Sequence, residues 1–382
     1  MRQKVICLIC RLIKKGTLKH EIDMKLEDLG YNNKLERFRN ENNLRDCEIG
    51  RVVSEHKERY IVKTETGEFE AEITGNLRFS STHREDFPAV GDWVAVTKYD
   101  SGISIIHKVL PRFSIISRQN VGQTGEKQII ATNIDYALLV QAVDRDFNIN
   151  RLERYLTICY SSNVSPIIVL TKIDLIDEHR ISEILENIKA RIKNVPIITI
   201  SNKSQEGYDK IKAIIEKGKT YCMLGSSGVG KSSLLNNLSG KTIMRTNTIS
   251  QNTNKGRHVT SHRQLIILEN GGILIDNPGM REVGIADSTT GLEITFDMIN
   301  RLSQDCKFKN CTHTNEIGCA VLEAIERREI DKASYENYLK MERENAHFES
   351  TLAEKRKKDK DFGKSLKNYK KDRNKKGSKH NK

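Results

Sequence analysis

The stretch CMLGSSGVGKSSLLNNL, from Cys222 to Leu238, decides the fold of this protein. Residues 225–232 satisfy the phosphate-loop pattern G-x-x-x-x-G-K-[ST] in full. An apolar strand precedes this loop and an amphipathic helix follows it, which is the setting in which backbone N–H groups cradle phosphates. We therefore predict a nucleotide site. Its phosphate-binding residues are Gly225, Ser226, Ser227, Gly228, Val229, Gly230, Lys231, Ser232 and Ser233.

Two motifs supply the charged chemistry around the phosphates. Lys231 is predicted to reach the β- and γ-phosphates as a catalytic residue, and the Ser232 hydroxyl to hold Mg²⁺. The tetrapeptide DNPG ends a later strand and spans Asp276 to Gly279. We expect Asp276 to hold Mg²⁺ through water and the Gly279 N–H to meet the γ-phosphate.

The tetrapeptide TKID, at residues 171–174, indicates which base is bound. Asp174 can accept hydrogen bonds from N1–H and N2–H₂ of guanine, which adenine does not offer, and Lys172 can lie along the base. Thr171 stands where Asn is usual, so we expect a weakened internal bond. Ser201, in the later TISN, is the candidate for the guanine O6 contact.

The order of these motifs is the reverse of that in most GTPases. The base motif at residue 171 precedes the phosphate loop at 225, and DNPG follows at 276. The same sheet with its connections cut elsewhere produces this order, which indicates a circular permutation. The segment after DNPG then leads into the C-terminal region, so nucleotide state could move that region.

The residue that handles the attacking water is less clearly marked. Ras-like enzymes place a Gln after this tetrapeptide, whereas this chain has Met280. The segment KGRHVTSH offers His258 as the catalytic group, because imidazole hydrogen-bonds water near neutral pH. Thr260 is the predicted ligand of Mg²⁺ and the γ-phosphate. His262 is the rival of His258.

The 382 residues suggest two or three domains. Five short alternating strands favour an OB-fold β-barrel, and apolar strands alternating with helices favour a doubly wound parallel α/β sheet. KLEDLGYNNKLERF predicts one short helix near the N-terminus, and Met24 before it is the expected start of translation. The expected divisions are an extension with its helix (1–43), the barrel (44–112), the permuted GTPase domain (113–285), a helical zinc domain (286–350) and a basic disordered tail (351–382).

Charge and cysteine spacing indicate the partners. The formal net charge is +13, and residues 351–382 hold 14 Lys and Arg against four Asp and Glu, which favours RNA as a partner. A solvated tail without a partner is the alternative. The spacing C-x₄-C-x-H-x₅-C predicts one structural Zn²⁺ in a reducing compartment. Its ligands are Cys306, Cys311, His313 and Cys319.

The permuted nucleotide motifs occur together with FPAVGDWVAV, NIDYALLVQAV, KGRH and CTHTNEIGCAV. In this combination the chain resembles the circularly permuted, ribosome-small-subunit-dependent GTPases called RsgA or YjeQ. The resemblance implies GTP hydrolysis stimulated by the 30S subunit, a role in late 30S maturation, and contacts of the barrel and zinc domain with 16S rRNA. It also implies His258 as the catalytic group. The family usually has GRHTTT, so Val259 is a departure, and DNPG replaces the usual DTPG.

Three functions therefore stand at this stage. The first is a cytoplasmic, monomeric, Mg²⁺-dependent GTPase without membrane association, which uses hydrolysis to time its departure from the 30S subunit. The second is a non-enzymatic RNA-binding assembly protein that nucleotide merely locks in one conformation. The third, an ATP-dependent RNA enzyme, conflicts with the base preference predicted for Asp174.

Overall fold

The computed structural model describes residues 24–56, 59–81, 83–99, 103–119, 127–144, 147–240, 263–276 and 288–346, and Lys357. Its strands are β1 (Glu48–His56), β2 (Arg59–Thr64), β3 (Gly67–Ile73), β4 (Trp93–Lys98), β5 (Ile103–Val109), β6 (Ile115–Gln119), β7 (Lys127–Thr132), β8 (Tyr136–Ala142), β9 (Ser165–Thr171), β10 (Ile197–Thr199), β11 (Thr220–Leu224), β12 (Gln264–Ile267) and β13 (Ile273–Asp276). Its helices are α1 (Asn33–Glu41), α2 (Gly75–Ser80), α3 (Ile149–Ser161), α4 (Glu178–Arg191), α5 (Tyr208–Ile214), α6 (Lys231–Ser239), α7 (Thr289–Thr295), α8 (Asp297–Ser303), α9 (Ala320–Glu326) and α10 (332–346). Within these ranges no helix is both long enough and apolar enough to cross a lipid bilayer.

The first five strands close into the barrel that the alternating pattern predicts. They pair in the order β1-β2-β3-β5-β4, and β4 returns to pair with β1. The pair β3 and β5 is parallel and the other pairs are antiparallel. Alternate residues face inward, so Val52, Val62, Val94 and Ile106 fill an apolar core. The predicted OB-fold is confirmed.

The single helix predicted for KLEDLGYNNKLERF is wrong, because the segment is broken in two. A 3₁₀ turn covers Leu26–Leu29, Gly30 takes a left-handed conformation with φ 88°, and α1 follows. The Asn32 side chain caps α1 by accepting from the backbone N–H groups of Lys34 and Leu35. A side chain on Gly30 would lie 2.7 Å from the Gly218 carbonyl oxygen, so tertiary packing also requires glycine here.

The second half of the sheet is the predicted doubly wound α/β unit. Strands β10, β9, β8, β11 and β13 lie side by side in that order and are all parallel. Helices α3 and α4 contribute buried residues to one apolar core, and α5 and α6 contribute to another. Both faces are therefore covered, which explains why β8, β9 and β11 are almost entirely apolar. The carboxyl ends of these strands meet at one edge.

One strand that the sequence analysis missed joins the two halves. Strand β12 runs antiparallel to β13 and pairs on its other side with β1, at Ser54 and Gln264. The barrel and the α/β unit thus form one sheet of eleven strands. The hairpin of β6 and β7 is a separate two-stranded sheet, also unpredicted.

A buried arginine strengthens the same junction. Arg51 is 1% exposed and donates to the carbonyl oxygens of Leu29, Gly91 and Asn133, at 2.5, 3.1 and 3.0 Å. These acceptors belong to the N-terminal segment, the barrel and the entry to β8. Burial lowers the pKa of Arg51 to about 10, which still leaves it charged at neutral pH.

The C-terminal helices pack around their own apolar cluster and dock against α3. Glu153 of α3 is 2% exposed and accepts two hydrogen bonds from Arg191, at 3.0 and 2.7 Å. Ser334 and Asn337 of α10 donate to the same carboxylate at 2.8 and 2.6 Å. A polar contact between distant parts of the chain therefore holds the cysteine-rich region against the α/β unit.

Candidate functional site

The phosphate loop lies where its sequence pattern predicts. It leaves the end of β11, and α6 begins at Lys231. Gly228 and Gly230 have φ of 80° and 95°, which only glycine adopts readily. A side chain on Gly225 would lie 2.4 Å from the Val140 carbonyl oxygen, so the loop also passes close to β8. The loop thus has the curled backbone that phosphate binding requires.

Lys231 and Asp276 lie at the same edge of the sheet. The Lys231 ammonium donates to the carbonyl oxygens of Gly225 and Ser226 at 2.7 and 2.5 Å, so it lies over the loop. Asp276 ends β13, the parallel neighbour of β11. Burial raises the pKa of Asp276 to about 6, although the positive charge of Lys231 acts in the opposite direction. Lys231 therefore favours the ionised form of Asp276, the form that a magnesium ion would require, and burial opposes it.

The predicted base-reading residues come together at the ends of two neighbouring strands. Asp174 follows β9 and is exposed, whereas Ser201 follows β10 and is buried. The Ser201 hydroxyl donates to an Asp174 carboxylate oxygen at 2.6 Å and accepts from the backbone N–H groups of Lys203 and Ser204. Ser201 therefore orients Asp174, a role that the sequence analysis did not assign to it.

The first two residues of TKID also have specific partners. Thr171 is buried, and its hydroxyl donates to the Val229 carbonyl oxygen of the phosphate loop at 2.6 Å, so a short bond exists where we expected a weakened one. Lys172 adopts a left-handed backbone conformation with φ 62° and forms an ion pair with Asp144 at 2.6 Å. The ion pair holds the Lys172 side chain beside the end of β8.

Some contacts of the phosphate loop were not predicted. The Asn202 amide donates to the Gly230 carbonyl oxygen at 3.2 Å, and burial raises the pKa of the Tyr155 phenol while the nearby Ser226 side chain lowers it. Asn202 directly follows the predicted Ser201, so its place beside a motif was the only sequence signal. Tyr155 carries no such signal, because its helical spacing is that of an ordinary core residue.

Several predicted residues lie outside the described residues. They include the water-handling candidates and the second half of DNPG. These residues are His258, Val259, Thr260, His262, Gly279 and Met280.

The predicted metal ligands form one compact cluster. The candidate ligand atoms of Cys306, Cys311, His313 and Cys319 all lie within 4.8 Å of one another. His313 Nδ1 is 3.6 Å from the Cys306 sulfur and 3.4 Å from the Cys319 sulfur, and the two sulfurs are 3.9 Å apart. A tetrahedral Zn²⁺ with Zn–S bonds of about 2.3 Å would place two sulfurs about 3.8 Å apart. The cluster therefore fits one four-coordinate ion.

A carboxylate organises the loop that carries His313. Glu316 accepts from the backbone N–H groups of Thr312, Thr314 and Asn315, at 2.8, 2.9 and 3.1 Å, and from the Thr312 hydroxyl. Hydrogen bonds from Thr312, side chain first, lower the pKa of Glu316 to about 2. His313 lies inside this turn with φ 57°, and the Tyr335 hydroxyl donates to its carbonyl oxygen.

The matching family model and the similar known sequences indicate the same family of GTPases. A family model described as RsgA GTPase matches residues 109–286. A protein of Listeria innocua named small ribosomal subunit biogenesis GTPase RsgA 1 is 42% identical over 299 residues, covering 78% of this chain and 84% of that protein. A protein of Bacteroides thetaiotaomicron with the same name is 37% identical over 344 residues, covering 90% and 96%. An ABC transporter model also matches residues 208–372, a range that includes the phosphate loop common to both classes.

Solved structures give the same result for the fold. YjeQ from Thermotoga maritima superposes with a TM-score of 0.58 at 28% identity, covering 80% of this chain and 98% of that one. YloQ, described as a circularly permuted GTPase, has a TM-score of 0.57 at 25% identity, covering 77% and 93%. This chain, whose nucleotide motifs run in a permuted order, thus shares its fold with a protein described as a circularly permuted GTPase.

Proposed function

The chain belongs to the RsgA GTPase family and is a GTP hydrolase, and on that premise we propose that it hydrolyses GTP to GDP and phosphate on the small (30S) ribosomal subunit. The step we propose is late maturation of that subunit. The relatives' names refer to biogenesis of the small subunit. The 30S subunit is then both the place of action and the stimulus for hydrolysis.

One observation carries the nucleotide assignment. The TKID segment, residues 171–174, and the phosphate loop are joined by a direct hydrogen bond between Thr171 and Val229, which lie 58 residues apart in sequence. Asp174 lies three residues beyond that bond, with a carboxylate that Ser201 orients. A guanine base on Asp174 and phosphates on the loop would therefore belong to one bound nucleotide.

Within that nucleotide, each residue has a proposed role. Lys231 and the loop N–H groups hold the phosphates, and the Lys231 charge stabilises negative charge that develops on them. Ser232, Thr260 and, through water, Asp276 would hold Mg²⁺, which when bound neutralises charge on the β- and γ-phosphates. His258 orients the attacking water. The Gly279 N–H meets the γ-phosphate.

The cysteine cluster is proposed to hold one Zn²⁺ with a structural role. Three thiolates and one imidazole complete a four-coordinate site, which leaves no position for a substrate. When bound, the ion would cross-link the loop between α8 and α9. We infer that this cross-link stabilises a helical region whose apolar cluster is small.

Binding to the ribosome is proposed to be largely electrostatic. The barrel, the zinc-binding region and the basic segment 351–382 would contact 16S rRNA, and the protein would act in the cytoplasm as a monomer. Contacts to RNA phosphates release counterions, so affinity for 30S subunits should fall steeply as salt rises. A salt-independent affinity would contradict this part of the proposal.

GTP turnover with and without purified 30S subunits tests the proposal. We expect 30S subunits to stimulate the wild-type protein and the matched control His262→Ala, but not His258→Ala, while all three bind GDP equally. Equal stimulation of His258→Ala would remove His258 from catalysis. Absence of stimulation in the wild-type protein would remove the ribosome as the trigger and favour a nucleotide-locked binding protein.

A further inference from the structure

The loop after β10, residues 201–205, which carries the predicted guanine contact Ser201, also joins the phosphate loop, separately from the bond that Thr171 makes at the end of β9. The Asn202 side-chain amide donates to the Gly230 carbonyl oxygen at 3.2 Å. The end of β9 and the loop after β10 therefore reach consecutive carbonyls of the phosphate loop, Val229 and Gly230. Gly230 immediately precedes Lys231, so this bond lies at the start of α6.

Neighbouring groups determine which way the Asn202 amide points. The Tyr208 hydroxyl donates to the Asn202 amide oxygen at 2.5 Å, and it accepts from the Asn237 amide at 2.9 Å. Since the oxygen of Asn202 faces a donor, its NH₂ group must face Gly230. Tyr208 is 3% exposed, so water competes little for these bonds. Asn237 also donates to the Asn202 backbone carbonyl at 3.3 Å, which ties α6 to the same loop.

The contact between the two loops is also sterically close. A side chain on Gly230 would lie 2.4 Å from the Asn202 amide nitrogen. Gly230 has φ 95°, a conformation that strongly favours glycine. The end of the phosphate loop therefore lies directly against the Asn202 side chain of the loop after β10.

We propose that Asn202 is a positioning residue that holds the loop after β10, which carries Ser201, and the phosphate loop at the separation that a guanine nucleotide spans. The proposal rests on the proposed nucleotide site. A nucleotide that binds both loops gains from their fixed separation, because binding at one loop places the other part of the molecule at the second. A ligand that occupies only one loop does not gain in this way.

This difference provides a test that a purely structural role would not pass. Affinities of the full-length protein would be measured by calorimetry or competition for GDP, which spans both loops, and for guanosine and pyrophosphate, which each occupy one. For Asn202→Ala we expect about a fivefold loss of GDP affinity, the value of one hydrogen bond. Guanosine and pyrophosphate affinities should change by less than about twofold. Ser204→Ala, in the same loop, is the matched control and should leave all three unchanged.

Two further variants separate the bond from general loop damage. Asn202→Asp keeps the size of the side chain and still accepts from Tyr208, but it places an oxygen against the Gly230 carbonyl. The affinity for GDP should therefore fall again, while the affinities for guanosine and pyrophosphate should not. Tyr208→Phe removes the hydrogen bond that orients the Asn202 amide. The loss of GDP affinity in the double variant with Asn202→Ala should be smaller than the sum of the losses in the two single variants. If one of the variants Asn202→Ala, Asn202→Asp and Tyr208→Phe does not fold, the GDP affinities of the other two test the proposal.

Each outcome has a definite meaning. Unchanged GDP affinity in all folded variants overturns the proposal. A parallel loss for GDP, guanosine and pyrophosphate, with a lower melting temperature, also overturns it, since that is the result of a structural role. If the wild-type protein itself does not prefer GDP to ADP, the proposed nucleotide site fails rather than the role of Asn202.

Discussion

The hydroxyl of Thr171, at the end of β9, donates to the carbonyl oxygen of Val229 in the phosphate loop at 2.6 Å. Both residues are buried, so neither group has access to water if the bond is removed. A threonine thus provides an internal bond at a position where asparagine is usual.

Replacing this hydroxyl tests its contribution. Thr171→Val keeps the shape but leaves the Val229 carbonyl without that donor, so we expect a loss of about 1–2 kcal/mol in the free energy of unfolding. GDP affinity should fall by about fivefold for the same reason. Urea unfolding and calorimetry measure the two effects. Thr171→Ser retains a hydroxyl and should behave nearly as wild type; a Thr171→Val protein with unchanged stability would show that the bond contributes nothing.

The orientation of Asp174 by Ser201 predicts a change in base selectivity. Ser201→Ala removes a hydrogen bond to a charged group, so GDP affinity should fall by roughly tenfold, whereas ADP affinity should not change. Ser204→Ala is the control, because only its backbone N–H takes part in the network. Equal losses for GDP and ADP would mean that Ser201 supports the loop and not the reading of guanine.

The buried pair Glu153 and Arg191 should contribute to stability far more than a surface pair. Glu153→Ala leaves the Arg191 guanidinium, only 10% exposed, with only the longer ion pair to Asp331 at 3.6 Å, and it also removes the acceptor of Ser334 and Asn337. We expect a loss of about 3 kcal/mol in the free energy of unfolding.

Arg180 and Glu183, 54% and 47% exposed, provide the comparison for this pair. Arg180→Ala should cost less than about 0.5 kcal/mol, because water screens exposed charges. Chemical unfolding of both variants under one set of conditions gives the contrast. Similar losses in the two proteins would contradict the role assigned to the α10 contact.

The Glu316 turn should control how firmly the proposed zinc site holds its ion. Glu316→Ala frees the backbone N–H groups that shape the turn around His313, so zinc affinity should fall by about tenfold, as for other groups that orient ligands. Competition with a chromogenic chelator measures this affinity directly. Glu323→Ala, on the exposed surface of α9, should retain zinc as wild type does. Removal of the metal should lower the melting temperature in every variant.

Cys159 and Cys222, which are buried in the core of the α/β unit, should resist alkylation in the folded protein. Burial raises the pKa of Cys222 to about 12 and raises that of Cys159 well above its usual value, so both thiols stay protonated at pH 8.5. Because the thiolate is the reactive form, iodoacetamide should label partly exposed Cys47 before Cys159 or Cys222. Peptide mass spectrometry with and without denaturant measures the order. Early labelling of Cys222 would show that the strand before the phosphate loop opens.

Sequence patterns were sufficient for those parts of the molecule whose chemistry is local. The phosphate loop, the TKID tetrapeptide and the cysteine and histidine spacing lie within short segments, so their order and setting could be predicted. The barrel and the parallel sheet followed from hydrophobic periodicity. The helix near Gly30 was mispredicted because a contact with Gly218, distant in sequence, helps to place a left-handed residue there.

The sequence by itself thus determined the fold class, the permuted order of the nucleotide motifs and the set of cysteine and histidine residues that cluster together. Only the tertiary structure decided that Ser201 orients Asp174, that Thr171 and Asn202 join the ends of β9 and β10 to the phosphate loop, and that Glu153 holds the C-terminal helices. The physical reason is that each of these bonds links residues from 27 to 184 positions apart. A side chain's local sequence carries no signal for a partner that only folding brings within hydrogen-bond distance.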